Sequence, residues 1–248
     1  MTTRPSTFKD KYYNFIVRRG EAFVRDMESC IGHYSKIGDR PFFDCDTFPW
    51  IENLEANWTT IREELDRVLT RVDRIPNFQD LSEDQASLTQ DNRWKTYFFY
   101  AFGLKAEKNC ENCPQTTQLL QSIPGMTTAF FSILLPHKQI PEHRGLYKGV
   151  LRYHLALKVP DVDNCGIRVG EEVRQWEEGK SLLFDDTFPH AAWNDTDEIR
   201  VVLFVDVIRP MRFPWSWLNR GLIRLISISP YVRDGQQKFL EWEKRFLD

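Results

Sequence analysis

The 248-residue chain has little of what marks several protein classes. Its five cysteines are too few, and odd in number, for a disulfide framework. With 33 basic against 36 acidic side chains, a net charge of −3 offers no basic face, so we expect no nucleic-acid partner. No apolar run approaches the roughly 18 residues of a membrane span, and residues 1–20 lack the apolar core of a signal peptide. We therefore expect a cytoplasmic globular protein with reduced thiols.

Helical patterns occupy the first part of the chain, which we delimit as a helical N-terminal part over residues 1–75. Residues 8–31 contain few helix breakers, and at 53–73 apolar residues recur every three or four positions. The predicted buried stripe is Leu54, Trp58, Ile61, Leu65 and Leu69, and the side chains expected in water are Arg62, Glu63, Glu64 and Arg67. The polar stretch 76–93 is predicted to be an exposed loop.

Short β-strands are predicted between residues 94 and 210. Runs rich in aromatic and β-branched residues alternate there with turn residues; they are TYFFYAF (96–102), TTAFFSILL (127–135), GVLRYHLALKV (149–159), SLLF (181–184) and IRVVLFVDVI (199–208). This pattern is typical of a β-sandwich or jelly roll. The chain is thus predicted to be mainly β with flanking helices.

The strand at 149–159 carries polar residues on one side. Alternation puts Val150, Arg152 and His154 on the same face, opposite the leucines. Because an arginine and a histidine cannot sit unpaired in a dry core, this face should line a polar cavity.

Histidine is scarce, with five in all, and three of them lie among the strands beside two arginines. His143 and His190 are predicted to lie in loops at strand ends, where two imidazoles suit a divalent metal such as Fe(II) and leave coordination positions open. Arg200 begins the last strand and could bind a carboxylate, with a hydrogen bond added by Ser132. Taken singly, a histidine beside a strand is more often a structural residue than a metal ligand, and an arginine such as Arg200 is more often a surface ion-pair partner. Spacing alone predicts a metal site in a β-barrel and names no reaction.

Residues 94–210 resemble the aspartyl/asparaginyl β-hydroxylase family of Fe(II)- and 2-oxoglutarate-dependent oxygenases. The similar segments follow in consistent order: NCENCPQTTQLL (109–120), SILLP (132–136), HRG (143–145), LRYHLAL (151–157), WEEGKSLLFDDTFPHAAWND (176–195) and IRVVLFVDV (199–207), with LEANWTTIREEL (54–65) extending the match upstream. The resemblance implies a double-stranded β-helix, a cupin-like jelly roll, over 94–210. It also implies a dioxygenase that uses Fe(II), 2-oxoglutarate and O2 to hydroxylate an unactivated C–H bond.

The family pattern assigns roles to the candidate residues. His143 and His190 would be the iron ligands. Ser132 and Arg200 would hold the distal carboxylate of 2-oxoglutarate, and His154 would lie nearby in the co-substrate pocket. Arg152 would face the co-substrate or the prime substrate as a further catalytic residue.

Gly145 stands where most related oxygenases place the acid of their metal-binding triad. The resemblance implies that this family shares the two-histidine arrangement, in which water can fill the missing position. The nearby carboxylates Glu142, Asp185 and Asp186 are expected to support the site or form turns rather than bind metal.

The substrate is expected to be a lipid-linked acyl chain. Val150 stands where members acting on Asp or Asn carry an arginine for the substrate carboxylate, and LRYHL (151–155), RPM (209–211) and the LNR…SPYV tail resemble the branch that hydroxylates acyl chains of lipids. β-Hydroxylation of Asp or Asn side chains in a peptide or small molecule is the alternative. A cupin-like protein that binds metal or carboxylate without turnover is a third possibility, although the chain keeps the complete set of binding residues.

Three features carry open interpretations. The tail at 211–248 begins with Trp, Leu and Ile interspersed with arginines over 211–232. This segment could lie on a membrane surface, making the protein peripheral, or pack on the barrel. Cys110 and Cys113 form a CxxC with no second pair at zinc spacing, so a structural role is predicted. Trp193 could wall the cavity or belong to the core.

Overall fold

The computed structural model describes residues 27–81, 89 and 91–246, so most of the helix predicted over 8–31 lies outside the described residues. The helices are α1 (Glu28–Tyr34), α2 (Pro49–Ala56), α3 (Trp58–Leu69), α4 (Phe78–Leu81), α5 (Glu107–Asn112), α6 (Pro114–Gln121), α7 (Trp215–Ser227) and α8 (Pro230–Phe246). Short 3₁₀ turns occupy Cys45–Thr47 and Val72–Arg74.

The described residues form eleven strands. They are β1 (Phe42–Phe43), β2 (Trp94–Ala101), β3 (Leu104–Lys105), β4 (Met126–Leu134), β5 (Lys138–His143), β6 (Val150–Lys158), β7 (Cys165–Val169), β8 (Glu172–Gln175), β9 (Ser181–Phe184), β10 (His190–Asn194) and β11 (Arg200–Ile208).

The strands form two antiparallel sheets. The larger has the order β1-β9-β6-β11-β4-β2-β3, and the smaller has the order β5-β10-β7-β8. From β4 to β11 the chain passes back and forth between them, which is the jelly-roll arrangement. The predicted double-stranded β-helix is therefore confirmed. The predicted strands all belong to the larger sheet, whereas the four strands of the smaller sheet, such as KQIPEH and EVRQ, lack the apolar runs that reveal a strand.

The two faces of the larger sheet bury different groups. Leu151, Tyr153 and Leu155 of β6 pack outward in one apolar cluster with Ile61 and Leu65 of α3. The opposite, inner face packs towards the smaller sheet in a second cluster that contains Phe184, Val202, Ile140 and Ala192. The alternation predicted for β6 is confirmed, because Arg152 and His154 lie on this inner face against Phe204.

The helix predicted over 53–73 is divided in two at Asn57. The Asn57 side-chain amide donates to the carbonyl of Asn53 at 2.8 Å, and the Asn57 backbone (φ −109°, ψ 14°) is not helical. Such local side-chain hydrogen bonds compete with a continuing helix.

The prediction that Glu64 faces water is wrong. Its side chain is buried, and its carboxylate accepts the backbone N–H groups of Gln115 at 3.0 Å and Thr116 at 2.8 Å at the start of α6. The first N–H groups of a helix have no partner within the helix, and a carboxylate satisfies them well. Periodicity within α3 could not reveal a partner 51 residues away.

The predicted exposed loop at 76–93 is also wrong in part. Phe78 opens the helical turn α4 and stacks on Trp94 with ring centroids 4.1 Å apart. Thr89 is buried and accepts a hydrogen bond from Lys138 Nζ at 2.9 Å. Residues 82–88 and 90 lie outside the described part of the chain.

In the tail, one face of α7 packs on the rest of the protein, where Ile223 joins an apolar cluster with Met211. The other face of α7 is exposed. Within the described ranges, no helix combines the length and the apolar character needed to cross a membrane.

Candidate active site

The predicted site residues converge on the space between the two sheets. The inner face of the larger sheet carries four of them, and the smaller sheet carries two at strand ends: Ser132 on β4, Arg152 and His154 on β6, Arg200 on β11, His143 ending β5 and His190 beginning β10.

His143 and His190 form a facing pair. They are register partners of β5 and β10, with ring centroids 4.0 Å apart, so their predicted placement in loops is corrected to the ends of paired strands. The Nδ1 atoms contact the carbonyls of Pro141 at 2.9 Å and Phe188 at 3.0 Å. Because a carbonyl only accepts, each Nδ1 must donate, which leaves the lone pair of each ring on Nε2.

Both rings are held in the neutral form. Burial lowers the pKa of His143. Burial also lowers the pKa of His190 to about 3, with further lowering by His143 and Arg152. A neutral imidazole whose Nδ1 is held by a carbonyl is the usual metal-binding form of histidine. The donor set therefore fits a divalent transition metal such as Fe(II).

In the described part of the chain, the two histidines are not joined by a third candidate metal ligand. Across the described residues, no group of three or more His, Cys, Asp or Glu side chains is placed to hold a metal ion. At Gly145, two residues after His143, a Cβ atom would lie 2.1 Å from Oδ2 of Asp186. The Asp186 carboxylate thus fills the space into which a triad acid at position 145 would project. Burial raises the pKa of Asp186, and Arg152 opposes that rise.

Arg200 is a buried cation for which the described part of the chain provides no anionic partner. It is 1% exposed, its Nε and Nη1 atoms have no hydrogen-bond partner, and its guanidinium lies 4.2 Å above the ring of Trp176. Burial lowers the pKa of Arg200 to about 9. Since an unpaired buried charge is costly, this arrangement fits a site that an anion completes. A carboxylate such as that of 2-oxoglutarate has the matching charge and geometry.

Unpartnered polar atoms cluster beside Arg200. Neither ring nitrogen of His154 has a partner, and the ring packs edge-on against Phe184 with centroids 5.0 Å apart. Burial, followed by the charge of Arg200, lowers the pKa of His154 well below its ordinary value. Nε1 of Trp176, whose ring centroid is 5.9 Å from that of His154, is likewise buried and unpartnered. These groups can hydrogen-bond a polar ligand held by Arg200.

Ser132 and two tryptophans complete this end of the cavity. The Ser132 hydroxyl is buried and accepts a hydrogen bond from Nε1 of Trp94 at 3.1 Å, which leaves its own proton free to donate. The sequence predicts no role for Trp94 or Trp176. No local pattern distinguishes these two from the other tryptophans among the eight in the chain.

Arg152 lies on the cavity face, but its guanidinium is already paired. Its Nε and Nη2 atoms donate to the two carboxylate oxygens of Asp206 at 3.0 and 3.2 Å, and Nη2 lies 2.9 Å from Asp186. Burial disfavours this charge, yet the two carboxylates keep the pKa of Arg152 above its ordinary value. In this respect Arg152 differs from Arg200, and its predicted contact with a substrate stays a prediction.

The other nearby carboxylates are engaged in ion pairs. Glu142 pairs with Arg168 at 2.7 Å on the exposed side of the smaller sheet. Asp185 is fully buried, pairs with Lys148 at 2.9 Å and with Arg209, and accepts the backbone N–H of Thr187. Asp185 thereby fixes the turn that leads from β9 to His190.

Two other sequence features lie away from the cavity. Trp193 points to the side of β10 opposite His190 and packs on Gly166 of β7, so it does not wall the site. Cys110 and Cys113 are buried free thiols, and burial raises the pKa of Cys113 to about 12. Their packing in the apolar cluster agrees with the predicted structural role.

Comparison with known proteins places these findings in context. Residues 55–210 match the family described as Aspartyl/Asparaginyl beta-hydroxylase. The chain is 47% identical to an ornithine lipid ester-linked acyl 2-hydroxylase of Rhizobium tropici, over 91% of this chain and 80% of that protein. It is 30% identical to the human aspartyl/asparaginyl beta-hydroxylase over 74% of this chain, and it spans about a quarter (26%) of that protein. A solved cupin barrel domain protein from Salinispora arenicola aligns with a TM-score of 0.32 at 12% identity, over 56% of this chain and 92% of that chain.

Proposed function

The chain belongs to the aspartyl/asparaginyl β-hydroxylase family, and from this premise we propose that it is an Fe(II)- and 2-oxoglutarate-dependent dioxygenase that hydroxylates a lipid-linked acyl chain. The observation that carries the proposal is the buried guanidinium of Arg200, which has no acidic partner among the described residues and lies between the same two sheets as the two neutral imidazoles. A cationic pocket beside a two-ligand metal centre supports a co-substrate that brings a carboxylate.

The two histidines would bind the metal through Nε2. The carbonyls of Pro141 and Phe188 would fix the ring orientations, and Asp185 would hold the turn that precedes His190. When bound, Fe(II) and 2-oxoglutarate would supply the O2-dependent oxidation that the side chains cannot perform themselves.

The remaining residues would position the co-substrate. Arg200 would pair with its distal carboxylate, and the Ser132 hydroxyl would donate a further hydrogen bond. The unpartnered nitrogens of His154 and Trp176 would meet the polar atoms of the same molecule. Burial of all four side chains favours the exclusion of bulk water, which strengthens each of these contacts.

The relative that acts on ornithine lipid supports a lipid substrate, because its similarity to this chain extends over most of both proteins. Val150 adds support. It is half-buried against the Tyr147 and Ile223 cluster and carries no charge, at the position where the family resemblance implies an arginine in members that act on Asp or Asn. Hydroxylation of Asp or Asn is therefore the less supported alternative.

The test uses purified protein with Fe(II), ascorbate, 2-oxoglutarate and detergent-dispersed ornithine lipid. We expect succinate and a lipid that has gained one oxygen atom in equal amounts, and neither product with His190→Ala. His137→Ala is the matched control, because His137 is exposed and pairs with Asp197 at 2.8 Å on the surface. If no succinate forms with lipid or with an aspartyl peptide, and His190→Ala binds Fe(II) as tightly as the parent, the protein is a binding protein. If succinate forms only with the peptide, the substrate assignment is wrong.

A further inference from the structure

The outward face of α7 and the residues just before and after it concentrate the exposed apolar surface of the protein. Of nine large apolar side chains exposed in the described chain, five lie between residues 213 and 228. Phe213 is 85% exposed, Trp217 75% and Leu225 62%, and Leu218 and Ile228 complete the group. An apolar patch of this kind on a soluble surface marks a site of interaction.

The other face of α7 is fixed to the barrel, so the exposed face is not a core face waiting to fold inward. Asn219 is buried, donates to the carbonyl of Gly149 at 2.9 Å and accepts from the Tyr147 hydroxyl at 2.6 Å. Ile223 packs beside Tyr147, and Trp215 stacks on Tyr34 with ring centroids 4.7 Å apart. The helix is thus held against the segment that links His143 to β6.

The same face carries positive charge without acidic partners. Residues 209–229 contain four arginines and no Asp or Glu, although the whole chain has a net charge of −3. Arg212, Arg220 and Arg224 are exposed, and none of them forms an ion pair with another described residue. Cations interleaved with Trp, Phe and Leu on one helix face are suited to an anionic lipid surface, where aromatic rings enter the interface and arginines meet headgroups.

A cavity of about 590 Å³ opens beside this face. Apolar side chains, including Phe48, Val207 and Ile208, form most of its lining. Lys36 and Arg220 bring positive charge to it, and the buried Arg209 also lines it with an unpartnered Nε atom. An apolar hollow with cations at its edge has the chemistry of a site for the chain and headgroup of an anionic lipid.

We propose that the outward face of α7 docks the protein on an anionic membrane surface, with one lipid entering the cavity beside the helix. The role of this docking rests on the proposed function. Docking would bring the segment after His143, and with it the barrel, to the membrane surface that holds the acyl substrate. The binding itself requires neither metal nor 2-oxoglutarate, so it can be tested separately from turnover.

The first experiment is flotation of the full chain with vesicles of phosphatidylcholine alone or with one third phosphatidylglycerol, in buffer without iron or 2-oxoglutarate. We expect binding to the anionic vesicles only. The double variant Arg220→Gln/Arg224→Gln should bind about 30-fold more weakly, because each cation near an anionic surface contributes roughly fivefold. The matched control, Arg71→Gln/Arg74→Gln, removes two basic side chains after α3, and binding should not change.

The second experiment places Trp217 in the lipid. Vesicles with brominated acyl chains should quench part of the tryptophan fluorescence, and Trp217→Phe should lose that quenching while still floating. Val173→Ser, which removes an exposed apolar side chain from β8, should change neither readout.

Three outcomes would overturn the proposal. They are no binding to vesicles, equal binding to neutral and anionic vesicles, and binding that is unchanged in Trp217→Ser and in the double variant. A dimer in solution that Trp217→Ser dissociates, without vesicle binding, would instead assign the face to a second copy of the chain. If docking is observed but no succinate forms, the reaction assignment fails and the docking surface stands.

Discussion

Replacing Arg200 by methionine should stabilise the ligand-free protein and at the same time abolish its response to 2-oxoglutarate. The guanidinium is 1% exposed and has no anionic partner, so folding removes a charge from water without compensation. Methionine is also unbranched and carries no charge. It would remove that cost and also remove the group proposed to bind the co-substrate.

The size of the effect follows from the pKa of Arg200, which burial lowers from 12.5 to about 9. At about 1.4 kcal/mol per pH unit, this shift corresponds to about 5 kcal/mol of destabilisation. The substitution also removes the cation–π contact with Trp176, which costs roughly 2 kcal/mol. The expected net increase in the free energy of unfolding is therefore about 3 kcal/mol. Below the pKa that Arg200 has in the folded protein, its side chain is charged in both the folded and the unfolded state, and the loss of stability is complete. This loss becomes smaller only as the pH rises above about 9 and the buried group loses its proton. The gain should therefore be complete at neutral pH.

Urea and thermal unfolding at neutral pH, with and without 2-oxoglutarate, measure both effects. Without ligand, Arg200→Met should raise the melting temperature by roughly 6–12 °C. At a concentration of 100 times Kd, 2-oxoglutarate should stabilise the parent by about 2.7 kcal/mol and the variant not at all. Arg71→Met, at an exposed position, is the control and should behave as the parent does. If Arg200→Met is less stable than the parent and still responds to 2-oxoglutarate, Arg200 is a structural residue and the reasoning fails.

Three further predictions concern the scaffold around the site. Glu64→Ala should lower the free energy of unfolding by about 2–3 kcal/mol in urea, since it removes the acceptor of the buried Thr116 N–H and of the part-buried Gln115 N–H, whereas Glu63→Ala, at an exposed neighbouring position, should change it little. Gly145→Ala should cost about 1–3 kcal/mol, because its methyl group would meet the Asp186 carboxylate; an unchanged unfolding curve would show that the carboxylate moves freely. Only the exposed Cys30 should react rapidly with a thiol reagent at pH 8. At Cys113 a pKa of about 12 leaves a thiolate fraction on the order of 10⁻⁴, so rapid labelling of Cys113 would contradict its burial.

The larger sheet could be predicted from the sequence, and the smaller sheet could not. The strands β4, β6 and β11 are long and apolar on at least one face, so the alternation along β6 already separated the cavity face from the core face. The smaller-sheet strands are held by pairing with one another rather than by their own residue preferences. The sequence therefore predicts loops at His143 and His190, although these residues lie opposite each other on two paired strands.

Local spacing also could not show which charged groups are already paired. The sequence alone does not distinguish Arg152 from Arg200. Arg152 is held by Asp186 and Asp206, whereas Arg200 lies over the ring of Trp176 and forms no ion pair with a described residue. The carboxylates that pair with Arg152 lie 34 and 54 positions further along the chain, so no pattern within β6 could reveal them. This difference bears on function, because it separates a cation that is free for a ligand from one that is not.

Mass spectrometry of lipid extracts from cells that produce the parent chain or His190→Ala tests directly whether the protein hydroxylates a lipid. We expect ornithine lipid to gain one oxygen atom on an acyl chain only with the parent, and the oxidised species to be absent with the variant although the protein is present at the same level. An unchanged lipid profile with the parent, or the same oxidised lipid with His190→Ala, would contradict this expectation.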